Sequence, residues 1–506
     1  MSVTVAGAAL LALEPTYLLT ISLIITSSIA LFILRYTYRI AGISQTRLRC
    51  FWRQCIGERG LMLLPDELLA EVVSKLEWRD ILAIRQTCKR LCSASKALHV
   101  WRNVVGQEPS DLLFLECPIQ VYTAERLEFL FLRRKKAEGG YHKITQGAKP
   151  HRYSIPMDCV DLQEAAVHLV RGGRWLLIAT RRGSLVYYDL DAQNHVAHIL
   201  VPERGSNYSV ALAVDMQDPP SLSLSFKVAL ARQCTDASGG VVEVWQVDLV
   251  LGNIKQGVGL RAENLACFGQ EIDGHFEMLS LLGEQLALTI FHHPHRTRYT
   301  ILISWRAVRG PNYAKRVHMP EYDLCSVRFL HPDVLISVLD GLLTLTSRLS
   351  LPEVTHLPDR RRQLPYSIPF LAIPFDNARP ETLSTRMVFQ DSIRFLVSAG
   401  RAVYGIIVRD PGDGHYGVEI TKLSELPDIP HPTIISHSAD YFVVWPTWLP
   451  LVLQQLCWDT GKGVHFPAAH IDACSINEPA FQLLDITSGR ILVEDEQGMA
   501  LFDFSS

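Results

Sequence analysis

The period of the apolar residues along the chain changes twice. The first stretch, residues 18–34 (LLTISLIITSSIALFIL), holds no charged residue and is flanked by Tyr17 and Tyr36. In the second, residues 61–105, apolar positions recur at helical spacing. There Pro65 suits a first helical turn, and Asp66 and Glu67 put negative charge at the positive end of the helix dipole. Leu68, Leu69, Val72, Val73 and Leu76 then form one apolar face. Trp78-Arg79-Asp80 interrupts, with Asp80 as N-cap of a second short helix carrying Ile81, Leu82, Ile84 and Cys88. Leu91, Ala94, Leu98 and Trp101 predict a third helix. After a loop over 107–118, residues 122–137 read as a further helix, ended by Gly139-Gly140.

From about His151 the pattern becomes short apolar runs punctuated by Gly, Pro, Asp and Asn, which predicts strands. Seven pairs of runs flank turn residues: 175–179 with 185–189, 226–230 with 241–245, 285–291 with 299–305, 333–338 with 342–345, 393–397 with 402–408, 441–444 with 453–458, and 491–493 with 500–502. They recur at roughly 45 to 60 residues, near the repeat of four-stranded propeller blades. Several second strands end in an aromatic residue followed by Asp, as in Tyr188-Asp189, Trp458-Asp459 and Phe502-Asp503. This is similar to the close of WD-type repeats, without their Gly-His partner. Two β-sandwiches give the same texture. One hairpin type repeating to the end of the sequence favours radial closure.

Three short helices in about 45 residues cannot bury all their apolar surface among themselves, and an uncovered apolar face points to a partner. The same stretch carries a resemblance. Leu64-Pro65-x-Glu67-Leu68-Leu69, then Leu76, Trp78-Arg79-Asp80-Ile81-Leu82, Cys88-Lys89-Arg90-Leu91 and Trp101 resemble an F-box, in particular that of fungal F-box proteins. The resemblance implies a helical module that docks on the Skp-type adaptor, and through it on a cullin, of a ubiquitin ligase. It implies that Leu64, Pro65, Leu68, Leu69, Ile81, Leu82, Cys88, Leu91 and Trp101 divide between adaptor contact and the module's own core. A β-propeller suits such a chain as its reader of protein substrates.

Composition narrows the rest. A net charge of −3 gives no global attraction for nucleic acid. The 11 cysteines include no C-x-x-C pair and no second ligand pair at zinc spacing, so free thiols in a reducing compartment are expected and no metal or cofactor is. Residues 17–36 reach the length needed to span a bilayer. One charge, Glu14, precedes them and Arg35, Arg39, Arg47, Arg49 and Arg53 follow, which places the rest of the chain on the cytosolic side. A soluble cytoplasmic or nuclear protein is the alternative.

Several stretches invite other chemistry. Gly412 to Gly417 satisfies G-x-G-x-x-G, but it follows a strand and precedes another, with Pro427 and Pro430 against any long helix. It reads as a hairpin loop. His292, His293 and His295 form a solvated tip, Arg360-Arg361-Arg362 an exposed loop, and Arg133-Arg134-Lys135-Lys136 a cationic helix end. Asn207-Tyr208-Ser209 is a glycosylation sequon that stays unmodified on the cytosolic side. No hydrolase, zincin, Walker or kinase signature is present, so a non-enzyme is expected.

The expectation is an α+β multidomain chain: an N-terminal segment 1–54 with a hydrophobic helix over 17–36, a three-helix module at 61–105, a helical linker at 106–150, and a large all-β domain at 151–506, a degenerate propeller of six or seven blades. The function expected is a substrate receptor of a Skp–cullin–RING ligase. The alternatives are a membrane-tethered propeller scaffold outside any ligase and an enzyme with its site in a propeller channel.

Overall fold

The computed structural model describes residues 64–108, 113–144, 151–156, 165–192, 194–205, 208–216, 223–234, 239–252, 257–271, 274–292, 297–310, 312–321, 324–356, 365–375, 380–384, 386–388, 392–409, 416–425, 433–437, 441–445, 451–455, 469–471, 482–485, 488–495 and 498–504. The apolar segment 17–36, Cys50, Cys55, Asn207, His293, His295, the arginines 360–362 and residues 412–415 lie outside them. Among the described residues no helix is long and apolar enough to cross a membrane. Contacts divide the chain into two units, Met1–Val100 and Trp101–Ser506.

The first unit contains helices α1 (Asp66–Ser74), α2 (Trp78–Arg85) and α3 (Lys89–Ser95) and the start of α4 (Leu98–Gly106). The third predicted helix is thus two helices, and the module has four where three were expected. The break falls at Lys96, whose N–H turns back to the Ser93 carbonyl, while the Ala97 N–H turns back to that of Ala94. Serines weaken the helix there: the Ser95 hydroxyl donates to the Cys92 carbonyl at 2.7 Å, competing for the backbone. Asp80 is not an N-cap either. Helix α2 starts three residues earlier, after Glu77, and Asp80 lies in its first turn, where its charge still complements the dipole.

In the second unit, α5 (Ala124–Ile144) does not stop at Gly139-Gly140 but runs through both glycines. The reason is tertiary. A Cβ on Gly140 would strike the carbonyl of Phe504, and one on Gly489 would strike Ala137. Small residues on both sides let the helix backbone lie against the last strand. Gly139, one residue away, faces open space.

The remainder is seven antiparallel sheets in chain order. Their first strands are Ala166–Leu169, Tyr208–Met216, His275–Leu282, Leu324–His331, Pro380–Leu383, Thr433–His437 and Gln482–Asp485. Each first strand touches the first strand of the next sheet, and the seventh touches the first, so the sheets form a closed ring. His151–Pro156 supplies the outermost strand of the seventh sheet, paired in register from His151 opposite Asp503 to Pro156 opposite Gly498. Every predicted hairpin occupies the second and third strands of one sheet. These middle strands are apolar because both of their faces are covered: Trp175–Ala179 and Val334–Leu339 are buried at every position.

The apolar clusters lie between neighbouring sheets rather than at one centre. Trp175, Leu177, Phe226, Val228 and Trp245 fill the space between sheets 1 and 2. Val242, Val244, Leu286, Leu288 and Tyr299 fill the next. Polar pairs span the open end of the central hairpins. Arg174 meets Asp189 at 2.8 Å in sheet 1, Ser225 meets Asp248 at 2.7 Å in sheet 2, and Arg490 meets Asp503 at 3.5 Å in sheet 7. In sheets 3 and 4 the polarity reverses, with Glu284–Arg306 and Asp333–Arg348 both at 2.7 Å. The Asp of the aromatic-Asp pattern is therefore a cross-strand partner in sheets 1 and 7.

Two expected outcomes follow from this packing. Gly140→Ala should lower stability by about 1–3 kcal/mol, the usual cost of overpacking, whereas Gly139→Ala should raise it by about 1 kcal/mol through helix propensity. Urea denaturation of the two variants distinguishes them. His318, 2% exposed and 3.3 Å from the Ser337 hydroxyl, has its imidazole pushed by burial from 6.5 to about 4. The neutral ring is favoured in the folded state, so its contribution is intact above the unfolded pKa of 6.5 and is lost as pH falls toward about 4. Stability should drop by about 1.4 kcal/mol per pH unit across that window, and His318→Gln should flatten that part of the profile.

Candidate functional site

The first unit builds its surface from the short helices α1, α2 and α3, which hold one another by a few polar ties. Helix α1 is entered at Pro65, whose carbonyl accepts from the Leu69 N–H at 2.9 Å. It turns Leu69, Ala70, Val73 and Ser74 inward and leaves Leu68 46% exposed. On its outer side Lys75 meets Glu71 at 2.9 Å. The Lys75 ammonium holds the Glu71 carboxyl below its ordinary value. Arg90, on α3, reaches the Asp66 carboxylate at 2.8 Å and the Leu64 carbonyl, which fixes the entry to α1. Arg85, on α2, donates to the Ser95 hydroxyl at 2.9 Å. Cys88 caps α3, its sulfur accepting from the Leu91 N–H at 3.5 Å.

Burial divides the nine sequence-predicted residues into two groups. Leu69, Ile81 and Trp101 are fully buried. Pro65 and Leu68 are exposed, and Leu64, Leu82, Cys88 and Leu91 are half-buried. Helical spacing cannot separate Leu68 from Leu69, because both fall within one broad apolar stripe. Beside this surface lies an open hollow of about 610 Å³ lined by Arg85, Gln86, Cys88, Lys89, Cys92, Ser93 and Lys96. Its three cations have no acidic residue among them. Sequence reading passed over the hollow, because Arg85, Lys89 and Lys96 look like ordinary solvated charges there.

In the second unit the stretch before the ring is tied to it by charge. Glu116 accepts from Arg174 at 2.9 Å and from the Trp175 indole at 2.7 Å. Burial raises the Glu116 carboxyl more than Arg174 and the indole lower it. Asp191 meets Arg126 at 3.5 Å, Arg133 at 3.2 Å and Arg490 at 2.8 Å. Burial pushes the Asp191 carboxyl up, but Arg490, Arg133, Arg174 and Arg126 together bring it below the ordinary carboxylate value. The tetrad 133–136 is thus largely committed: Arg134 meets Glu138 at 3.1 Å and Lys135 meets Glu108 at 3.0 Å. These ties fall on the end of the ring that carries the turns from first to second strands, such as Gly173 and Gly489. The turns from second to third strands lie at the other end. His292, expected on a solvated tip there, is 6% exposed at the end of its strand.

Among the described residues no three of His, Cys, Asp and Glu come together as a metal site.

Residues 61–107 match the F-box-like family. No curated protein sequence matches the chain. Among solved structures, the β-propeller domain of Myceliophteria thermophila Cps50 (Swd1) aligns at 14% identity over 67% of this chain and 96% of its own, with a TM-score of 0.42. The WD40 repeats of RRP9 align at 8% identity over 70% and 99%, with a TM-score of 0.39. The WD40 domain of SCAP from fission yeast aligns at 9% over 67% and 82%, with a TM-score of 0.37. This chain carries an F-box-like domain at residues 61–107, followed by a β domain whose seven sheets form a ring, as in a propeller.

Proposed function

We propose that this protein is a substrate receptor of a Skp–cullin–RING-type ubiquitin ligase, itself without catalytic activity. The observation that carries the reading is an F-box-like module in which six of the nine predicted residues keep some exposure, Leu68 most among the leucines. Leu64, Pro65, Leu68, Leu82, Cys88 and Leu91 are the adaptor contacts, and Leu69 and Ile81 belong to the core that presents them, while Trp101 packs on Phe131. Burying an exposed leucine against a partner yields about 1.5–3 kcal/mol, so a handful of such contacts supports a stable complex. The hollow with Arg85, Lys89 and Lys96 adds a cationic border.

Residues 106–150 act as the linker, and residues 151–506 as a seven-bladed propeller that reads protein substrates. The linker occupies the end of the ring bearing the first turns, which leaves the opposite end for the substrate. Loops on a rigid scaffold are suited to that work. Residues 17–36 anchor the chain in a membrane, with the F-box and the propeller on the cytosolic side.

Affinity purification of the intact protein tests both parts. Leu68→Asp should abolish recovery of adaptor and cullin while leaving the unfolding midpoint of the protein unchanged. Leu69→Ala should instead lower stability by about 2–5 kcal/mol. Full adaptor recovery with Leu68→Asp would exclude the assigned surface. A version starting after Arg53 should keep the adaptor and move from the carbonate-resistant membrane fraction to the supernatant. Identical fractionation of the two forms would remove the anchor from the account.

A further inference from the structure

Two cysteines one helical turn apart line the hollow of the first unit: Cys88 at the cap of α3 and Cys92 within it, beside Arg85, Lys89 and Lys96. Both are free and half-buried. The Cys88 sulfur is engaged, accepting from the Leu91 N–H at 3.5 Å. Cys92 stands between cations. Lys89 lies three residues before it and Lys96 four after it, so the three share one side of the helix. Both lysines are exposed, and among the described residues neither meets a carboxylate. Arg85 donates from Nε to the Ser95 hydroxyl at 2.9 Å, which holds its guanidinium at the same hollow.

Two other described cysteines differ in their charge surroundings. Cys117 is buried, and burial together with Glu116 raises its thiol above the ordinary value. Cys267 is exposed, but its sulfur lies 3.9 Å from a Glu243 carboxylate oxygen, and desolvation together with that carboxylate raises its thiol as well. A thiol reacts with a disulfide through its thiolate, so both are poor sites for that exchange. No acidic residue lines the hollow at Cys92. A disulfide between Cys88 and Cys92 does not fit either. The Cys92 N–H donates to the Cys88 carbonyl at 3.0 Å, a helical turn, and side chains so spaced have Cβ atoms about 5–6 Å apart. A disulfide needs about 3.5–4.5 Å.

We propose that Cys92 is a modification site, forming a mixed disulfide with an anionic peptide disulfide of the glutathione type that the hollow holds through Lys89 and Lys96. Each half of glutathione disulfide carries more carboxylates than ammonium groups, so it complements a cluster of cations. The hollow, at about 610 Å³, falls in the size range of small-ligand sites. The Cys92 thiolate attacks one sulfur of the disulfide. The new S–S bond forms as the old one breaks, and the departing glutathione thiolate takes up the proton that Cys92 released. Cys92 is oxidised and the departing half is reduced. Cys88 does not reach the new bond, so the adduct persists until an external thiol removes it. The step needs no bound adaptor and stands apart from the adaptor reading.

Incubating the full-length protein, freed of reductant, with glutathione disulfide at low ionic strength and mapping the adducts over time by peptide mass spectrometry tests this. The adduct should form at Cys92 at least about fivefold faster than at Cys88 or Cys267. Combining Lys89→Gln with Lys96→Gln should slow it at least about threefold, and added salt should erase that difference. With cystamine, a cationic disulfide, the same double variant should react at least as fast as the wild type. Both lysines are exposed, so the double variant should keep the wild-type unfolding midpoint. The proposal is overturned by an adduct at Cys88 or Cys267 that forms as fast as at Cys92, or by equal glutathione rates in the wild type and the double variant. A Cys88–Cys92 disulfide in place of the adduct overturns it as well.

Discussion

The β domain depends on one long-range pairing. His151–Pro156 lies against Gly498–Asp503, joining two segments separated by almost the entire domain. Without that pairing, the seventh sheet would expose the backbone N–H and C=O groups of its last strand, and the ring would have a loose end. With it, Ile155, Met499 and Leu501 become nearly inaccessible and join the same apolar cluster as Leu176, Ile178 and Tyr188 of sheet 1. The pairing is costly in loop-closure entropy, but that cost grows only slowly with length. Side-chain burial between sheets 7 and 1 repays it.

The same constraint explains which parts of this fold were legible. Middle strands are covered on both faces, so Trp175–Ala179 appears as an unbroken apolar run between turn residues. First and last strands do not. Ala166–Leu169 is short, with a histidine at its third position, and the outer strand Gly257–Glu271 mixes exposed and covered residues without a regular period. His151–Pro156 has no apolar pattern at all, since His151 to Ser154 are exposed and Ile155 is buried. Its role is fixed by partners more than 300 residues away, which no local window contains.

At the candidate docking surface the limit was angular. The stripe Leu68, Leu69, Val72, Val73 and Leu76 correctly marks a helix with an apolar side. Yet neighbours on a helix are about 100° apart, and the stripe is wider than that. Whether Leu68 or Leu69 faces inward depends on where α3 lies, and Arg90 sets that by holding Asp66 and the Leu64 carbonyl. The helix break at Lys96 was likewise hidden, because Leu91, Ala94, Leu98 and Trp101 keep helical spacing across it. Alanine and serine at 93–95 were the available warning.

Charge carries the last step. The basic run at 133–136 looks like a surface signal, yet Arg133 and Arg134 are among the least exposed arginines described. Asp191 gathers Arg126 and Arg133 from the helix before the ring and Arg490 from its last sheet, while Arg490 also donates to the Gly173 carbonyl in the first. Helix α5 therefore spans the seam between sheets 1 and 7, the same seam that His151–Pro156 closes. Gly140, Ala137 and Gly489 are small so that the helix can sit there. Buried ion pairs of this kind add little net stability, since desolvation offsets most of their attraction. What they supply is a unique placement: an arginine buried beside Asp191 has no comparable partner if the helix shifts by a turn. The closing strand and the bridging helix are adjacent in sequence, so one short region, 124–156, determines that the ring closes and what covers its seam.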